Sequence, residues 1–260
     1  MVRHRDTFQR VQDYLINNYA APTNLSGIVD YMKHGEGVTV KRETLANYVR
    51  LLESAKVLYK CPRFDLRSRR SLRGGEKYYL ADPGIRFARN AGTRMSYGPA
   101  LENALYVHLR SKGYEVSVGI IGKLECDFIV RKRERYAYVQ VSMSVQDPNV
   151  EEREFRPFTK LADGYPKYLF SLDQLPMQRD GVRHLNLMEF LRGRRSRPLI
   201  AFGGCDGDHC DDDDGFARSR IVFLRGWPHC WFLSSCAALI LDKRCEYAKK
   251  HFRKTIYRWK

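Results

Sequence analysis

The sequence predicts an α/β chain, α+β overall, in which a small helical unit with a two-stranded ribbon precedes a mixed-sheet domain. Three observations carry this. Residues 7–52 hold three segments with apolar residues at helical spacing. Residues 57–80 hold two strand-like runs on either side of an arginine-rich stretch. Residues 114–191 alternate β-rich runs with helical segments, the pattern of a central mixed sheet with helices against it.

Taken in order, residues 7–19 place Phe8, Val11, Leu15 and Ile16 on one helical face. Pro22-Thr23-Asn24-Leu25 is a helix start signal, followed by Ile28, Val29 and Met32. After the turn at Gly35-Glu36-Gly37, a third helix begins near Thr39 and carries Leu45, Tyr48, Val49 and Leu52. Val57–Cys61 and Lys77–Leu80 read as two strands joined by the basic loop Arg67–Gly75. Three short helices followed by a ribbon is the order of a winged helix. In a DNA-binding version, Lys41, Arg42 and Asn47 would lie near the groove, and Arg67, Arg69, Arg70 and Arg73 would meet phosphates. A short helix is expected after Asp82 and Gly84, then a polar loop over residues 90–97.

The stretch from Glu102 to Ser142 holds the chemistry. Leu101, Leu105 and Leu109 mark a helix that carries Glu102. After Gly113 come three strands: Tyr114–Gly119, Leu124–Val130 and Tyr136–Ser142. Asp127 stands mid-strand among Cys126, Phe128, Ile129 and Val130, where an unpaired carboxylate is costly to desolvate, so a partner or a metal is expected. A helix Glu, a strand Asp and a triplet on the next strand resemble the core of the PD-(D/E)xK nuclease-like fold. The resemblance implies a Mg²⁺ site that activates water, with Glu102 and Asp127 as candidate metal ligands and Glu102, Asp127 and Gln140 as candidate catalytic positions. The triplet departs from the pattern: Gln140 replaces a carboxylate and Ser142 replaces the lysine. The expected outcome is a nuclease-like scaffold whose chemistry is lost. The alternative is a Mg²⁺-dependent endonuclease that uses Glu102, Asp127 and Glu125, with Lys123 or Lys132 migrated into the site.

Beyond Ser142, residues 149–161 suggest an acidic helix, Tyr168–Leu172 and Val182–Leu187 two buried strands, and Met188–Leu191 a closing helix. His184, in the second of these strands, is expected to be structural, and no Ser/His/Asp or Cys/His arrangement has local support.

At 260 residues the chain suits one or two domains, and its formal charge of +16 favours a polyanionic partner. No run of about 18 apolar residues is present, and the N-terminus lacks the apolar core of a secretory signal, so a cytoplasmic protein without membrane contact is expected. Five of the seven cysteines and all three tryptophans follow residue 200, which marks a boundary near 194–198. The expected divisions are 1–90, 91–197 and a poorly packed extension over 198–260. In that extension Cys205, His209 and Cys210 match no zinc spacing.

Several ordered segments make a wider resemblance: Lys77–Arg86, Leu101–Asn103, Gly113–Val116, Cys126–Val130, Gln140–Ser142, Glu152–Pro157, Tyr165–Tyr168 and Gly181–Leu187. Together they resemble the C-terminal region of prokaryotic AAA-plus ATP-binding proteins that carry the domain of unknown function 4143, over residues 5–193. The resemblance implies a P-loop ATPase ahead of the winged helix, and an ATPase domain or protein as partner. This chain has no Gly-x-x-x-x-Gly-Lys-Ser/Thr, so ATP binding is not expected of it. The functional expectation is a non-catalytic, nucleic-acid-binding fragment of an ATPase-linked protein, with protein docking as a further alternative.

Overall fold

The computed structural model describes residues 4–89, 97–193 and 199–200. Of the expected extension, only Leu199 and Ile200 are described, and both are buried: the Tyr168 hydroxyl donates to the Leu199 carbonyl at 2.9 Å. Cys205, His209 and Cys210 lie outside the described residues, as does most of the expected loop over 90–97.

The three N-terminal helices are α1 (Arg5–Asn17), α2 (Leu25–His34) and α3 (Arg42–Ser54). Asn24 caps α2 by accepting the Gly27 N–H at 2.7 Å, which satisfies one of the donors a helix start leaves open. Val11, Leu15, Ile16, Ile28, Met32, Leu45, Val49 and Leu52 meet in one core. Between α1 and α2 lies a two-residue strand absent from the sequence pattern, β1 (Pro22–Thr23).

The hairpin of β2 (Leu58–Asp65) and β3 (Arg70–Leu80) is longer than expected, and Arg70 and Arg73 belong to a strand rather than a loop. A large bulge interrupts it, because Cys61 opposes Lys77 while Arg63 already opposes Leu72. Gly74 and Gly75 take up the excess at φ +80° and +67°. A Cβ on Gly75 would sit 2.9 Å from the Arg63 guanidinium, which itself donates to the Gly74 carbonyl at 3.3 Å. Glycine takes that backbone angle without strain, and a side chain there would have to displace the Arg63 guanidinium.

After α4 (Gly84–Arg89), α5 (Tyr97–Ser111) leads into β4 (Glu115–Ile121), β5 (Leu124–Lys132) and β6 (Arg135–Val141). A crossover through α6 (Pro148–Phe155) reaches β7 (Lys167–Ser171), followed by β8 (Gln178–Arg179), β9 (Val182–Asn186) and α7 (Leu187–Leu191). The nine strands of the described residues join one mixed sheet, in the order β1-β3-β2-β4-β5-β6-β7-β9-β8. The sheet therefore crosses the boundary expected near residue 90: β2 pairs parallel with β4, Arg63 opposite Val118 and Asp65 opposite Ile120. One face packs on the N-terminal helices, α5 and α7; the other carries a smaller core that includes Cys126, Ile129, Tyr138, Phe155 and Phe158.

Asn103 fastens α5 to the sheet. Its fully buried amide accepts the Leu80 N–H at 2.7 Å and donates to the Leu80 carbonyl at 3.0 Å, continuing β3 as a side-chain rung. Asn103→Ala would leave both groups buried and unpaired, so the urea midpoint of the variant is expected to correspond to a loss of about 3 kcal/mol.

Candidate functional site

Glu102, one residue before that amide, points to the end of β5 where Asp127 lies. A second irregularity shapes the strand here. Ser117 and Gly119 on β4 oppose Ile129 and Cys126, so the single residue Val118 faces two, Asp127 and Phe128. The regular ladder between β5 and β6 runs only as far as the pair Phe128–Val139. Beyond it the rungs are made by side chains. Gln140 Oε1 accepts the Asp127 N–H at 2.7 Å, and Asp127 Oδ2 accepts the Val141 N–H at 2.8 Å. The other end of the Gln140 amide donates to Glu154 Oε2 on α6 at 3.0 Å, and Arg153 binds the remaining Glu154 oxygen at 2.7 Å. Gln140 and Glu154 are both buried, and no polar atom of the Gln140 side chain is left over for a ligand.

The cation of the site comes from the hairpin. Lys77 on β3 donates from Nζ to Glu102 Oε1 at 2.9 Å and to Glu125 Oε1 at 2.8 Å, with only 6% of its side chain exposed. The Tyr79 hydroxyl donates to the same Glu102 oxygen at 2.5 Å, and its ring stacks on Tyr106 with centroids 4.2 Å apart. Burial works against the Lys77 ammonium, but Glu102, Asp127 and Glu125 outweigh it and hold the group well above the ordinary lysine range. Asp127 moves the other way for a carboxylate: burial pushes it well up and Glu102 adds to this, while Lys77 and the Val141 N–H pull it down. Burial and Glu102 likewise push the Tyr79 phenol up.

These residues do not fit a Mg²⁺ ion. An ammonium bridges Glu102 and Glu125, Asp127 Oδ2 and both ends of Gln140 are engaged with protein groups, and Mg²⁺ asks for near-octahedral oxygen ligands at about 2.1 Å. Among the described residues, no group of three or more His, Cys, Asp or Glu is placed to hold a metal. No step through a metal is derived.

Glu102, Asp127 and Gln140 are thus brought together, joined by Glu125, the further carboxylate of the endonuclease alternative. Lys123 lies exposed in the β4–β5 turn, and Lys132 sits 5.5 Å over the Tyr114 ring. Lys77, Tyr79 and Glu154 were missed. Lys77 was hidden because it reads as a polar strand residue before two tyrosines, and Glu154 because it reads as part of an acidic helix surface. Ser142 donates to the Ser144 carbonyl at 3.1 Å, away from the carboxylates. On the basic side, Lys41, Arg42 and Asn47 are exposed on and beside the start of α3, and Arg67, Arg69, Arg70 and Arg73 are exposed along the hairpin.

A Ser–His–Asp group also forms, from Ser171, His184 and Asp173. The Met177 N–H donates to His184 Nδ1 at 3.3 Å, so the ring proton is on Nε2 and points at Ser171 Oγ, 2.8 Å away. The serine hydroxyl then donates to Asp173 Oδ2 at 2.9 Å. The imidazole offers Ser171 a proton rather than removing one, the reverse of an activated nucleophile. Burial holds His184 below its ordinary value and so neutral near pH 7. The trio ties β7 to β9.

Residues 1–94 match a family model described as a domain of unknown function, DUF8612. The match spans the helices, the hairpin and α4. A Haemophilus influenzae protein described as "Uncharacterized protein" is 31% identical over 158 residues, 61% of this chain and 38% of its own length. This chain therefore spans well under half of that relative. No solved structure matches. Among the described residues no helix is long and apolar enough to cross a membrane.

Removal of Lys77 tests the charge balance. Lys77→Met leaves two glutamates facing each other beside Asp127, and the loss at pH 7 is expected to be about 3 kcal/mol. Acid relieves it, because burial and Glu102 already push the Asp127 carboxyl well up and loss of Lys77 removes a charge that pulls it down, so the variant takes up a proton at higher pH than wild type and the gap narrows on lowering the pH from about 7 to about 5. The double variant Lys77→Met/Glu102→Gln recovers part of the loss. Urea unfolding across that pH range measures all three.

Proposed function

We propose that this chain is a non-catalytic, nuclease-like protein that binds duplex DNA. The observation that carries this reading is the Lys77 ammonium lodged between Glu102 and Glu125, where hydrolysis would need a metal-bound water. Gln140, in the place of a catalytic carboxylate, works as a backbone rung instead. The order of α1–α3, β2 and β3 supports a winged helix, with α3 as the groove-facing helix and the hairpin as the wing. Its exposed cations, Lys41, Arg42, Arg67, Arg69, Arg70 and Arg73, suit phosphates, and Asn47 suits a base edge. The net charge of +16 points the same way. The shorter share of the Haemophilus influenzae relative, with the resemblance to ATPase-linked proteins, supports a longer assembly in which an ATPase acts alongside this module.

Filter retention of a labelled duplex, with Mg²⁺ added and the strands inspected for cleavage, tests both halves. The expected result is retention without cleavage, with a slope of log K against log salt of about −5 if the six cations each meet a phosphate. Cleavage abolished by Asp127→Ala would overturn the non-catalytic reading. Retention absent at any salt would leave protein docking.

A further inference from the structure

In a free-standing wing the hairpin reaches DNA on its own. Here it does not stand free. β2 runs parallel beside β4, and the pairing continues to the hairpin tip, where the Leu66 N–H donates to the Ile120 carbonyl at 3.0 Å. Phe64 and Leu66 pack into the smaller core together with Leu124. The tip itself is tied: Asp65 accepts the Arg67 N–H at 3.1 Å and the Ser68 hydroxyl at 2.6 Å. Arg69 takes φ +53° to complete the turn.

Parallel pairing puts the ends of β2 and β4 on one side of the sheet. Arg67 follows Leu66 directly, and Lys123 comes three residues after Ile120, so two basic turns sit side by side on strands about 5 Å apart. Glu125 and Asp127 lie just behind Lys123 on β5. A bare carboxylate pocket at that end would repel a phosphate chain, but Lys77 offsets it.

We propose that the hairpin tip and the β4–β5 turn form one rigid DNA-contacting edge. In it Lys123 binds the same phosphate backbone as Arg67, Arg69 and Arg70, beside a carboxylate pocket whose negative charge Lys77 lowers from within. This inference rests on the DNA-binding reading and extends it from the N-terminal unit to the nuclease-like part of the sheet.

The test is anisotropy of a fluorescein-labelled random duplex titrated with the full chain over a range of salt. Three variants are compared: Lys123→Glu, Arg70→Glu, and Lys112→Glu at the opposite end of β4. Expected are an affinity about tenfold lower at low salt for the first two, each with a salt slope smaller by about one, and no change for Lys112→Glu. Normal binding by Lys123→Glu with weakened binding by Arg70→Glu would overturn the shared edge and leave the hairpin acting alone. Equal weakening by Lys112→Glu would overturn it as mere bulk charge. No binding by the wild-type chain would remove the DNA-binding reading itself.

Discussion

One buried ammonium sets the terms for this molecule. Glu102, Glu125 and Asp127 come from a helix and a strand whose geometry brings carboxylates together, and such a cluster must take up a proton or a positive partner to be buried. In a metal-dependent enzyme that charge is exchangeable with solvent. Here it is attached to the chain through Lys77, held by two carboxylates at 2.8–2.9 Å and backed by the Tyr79 hydroxyl. The arrangement exchanges reactivity for permanence, because an ammonium balances charge but cannot lower the pKa of a water as a divalent ion does.

Lys77 is available because the hairpin and the larger mixed sheet are one structure. The Gly74–Gly75 bulge changes the register of β3 by several residues between Leu72 and Lys77, so the basic tip and the buried lysine are set by different stretches of one strand. Parallel pairing of β2 with β4 then locks the tip to the edge of the larger sheet.

Much of this was legible from local pattern. The three helices, the seven longer strands among the described residues and the helix of Glu102 lie close to where periodicity puts them, and the Asn24 start signal is a true cap. The need of Asp127 for a partner followed from its apolar neighbours. What stayed hidden depends on long-range pairing. The two residues of β1 are too few to make a pattern. Nothing near Cys61 or Arg63 says that β2 has a second neighbour. The arginine-rich stretch looked like a loop because its glycines signal a turn, whereas they form a bulge within a strand. Lys77 and Glu154 bear the commonest surface side chains, and only the fold reveals that their partners lie across the sheet.

The most direct test of the account is to observe the Lys77 ammonium itself. A ¹H–¹⁵N correlation spectrum of the NζH₃⁺ groups near pH 7 should show one slowly exchanging signal, lost in Lys77→Met, because a buried, hydrogen-bonded ammonium is shielded from water. The account predicts that this signal keeps its position when Mg²⁺ is added to millimolar levels and is not selectively broadened by Mn²⁺. Displacement or selective broadening by the metal would show that the carboxylates take a divalent ion in preference to the lysine, and would contradict the reading of Lys77 as the fixed cation of the site.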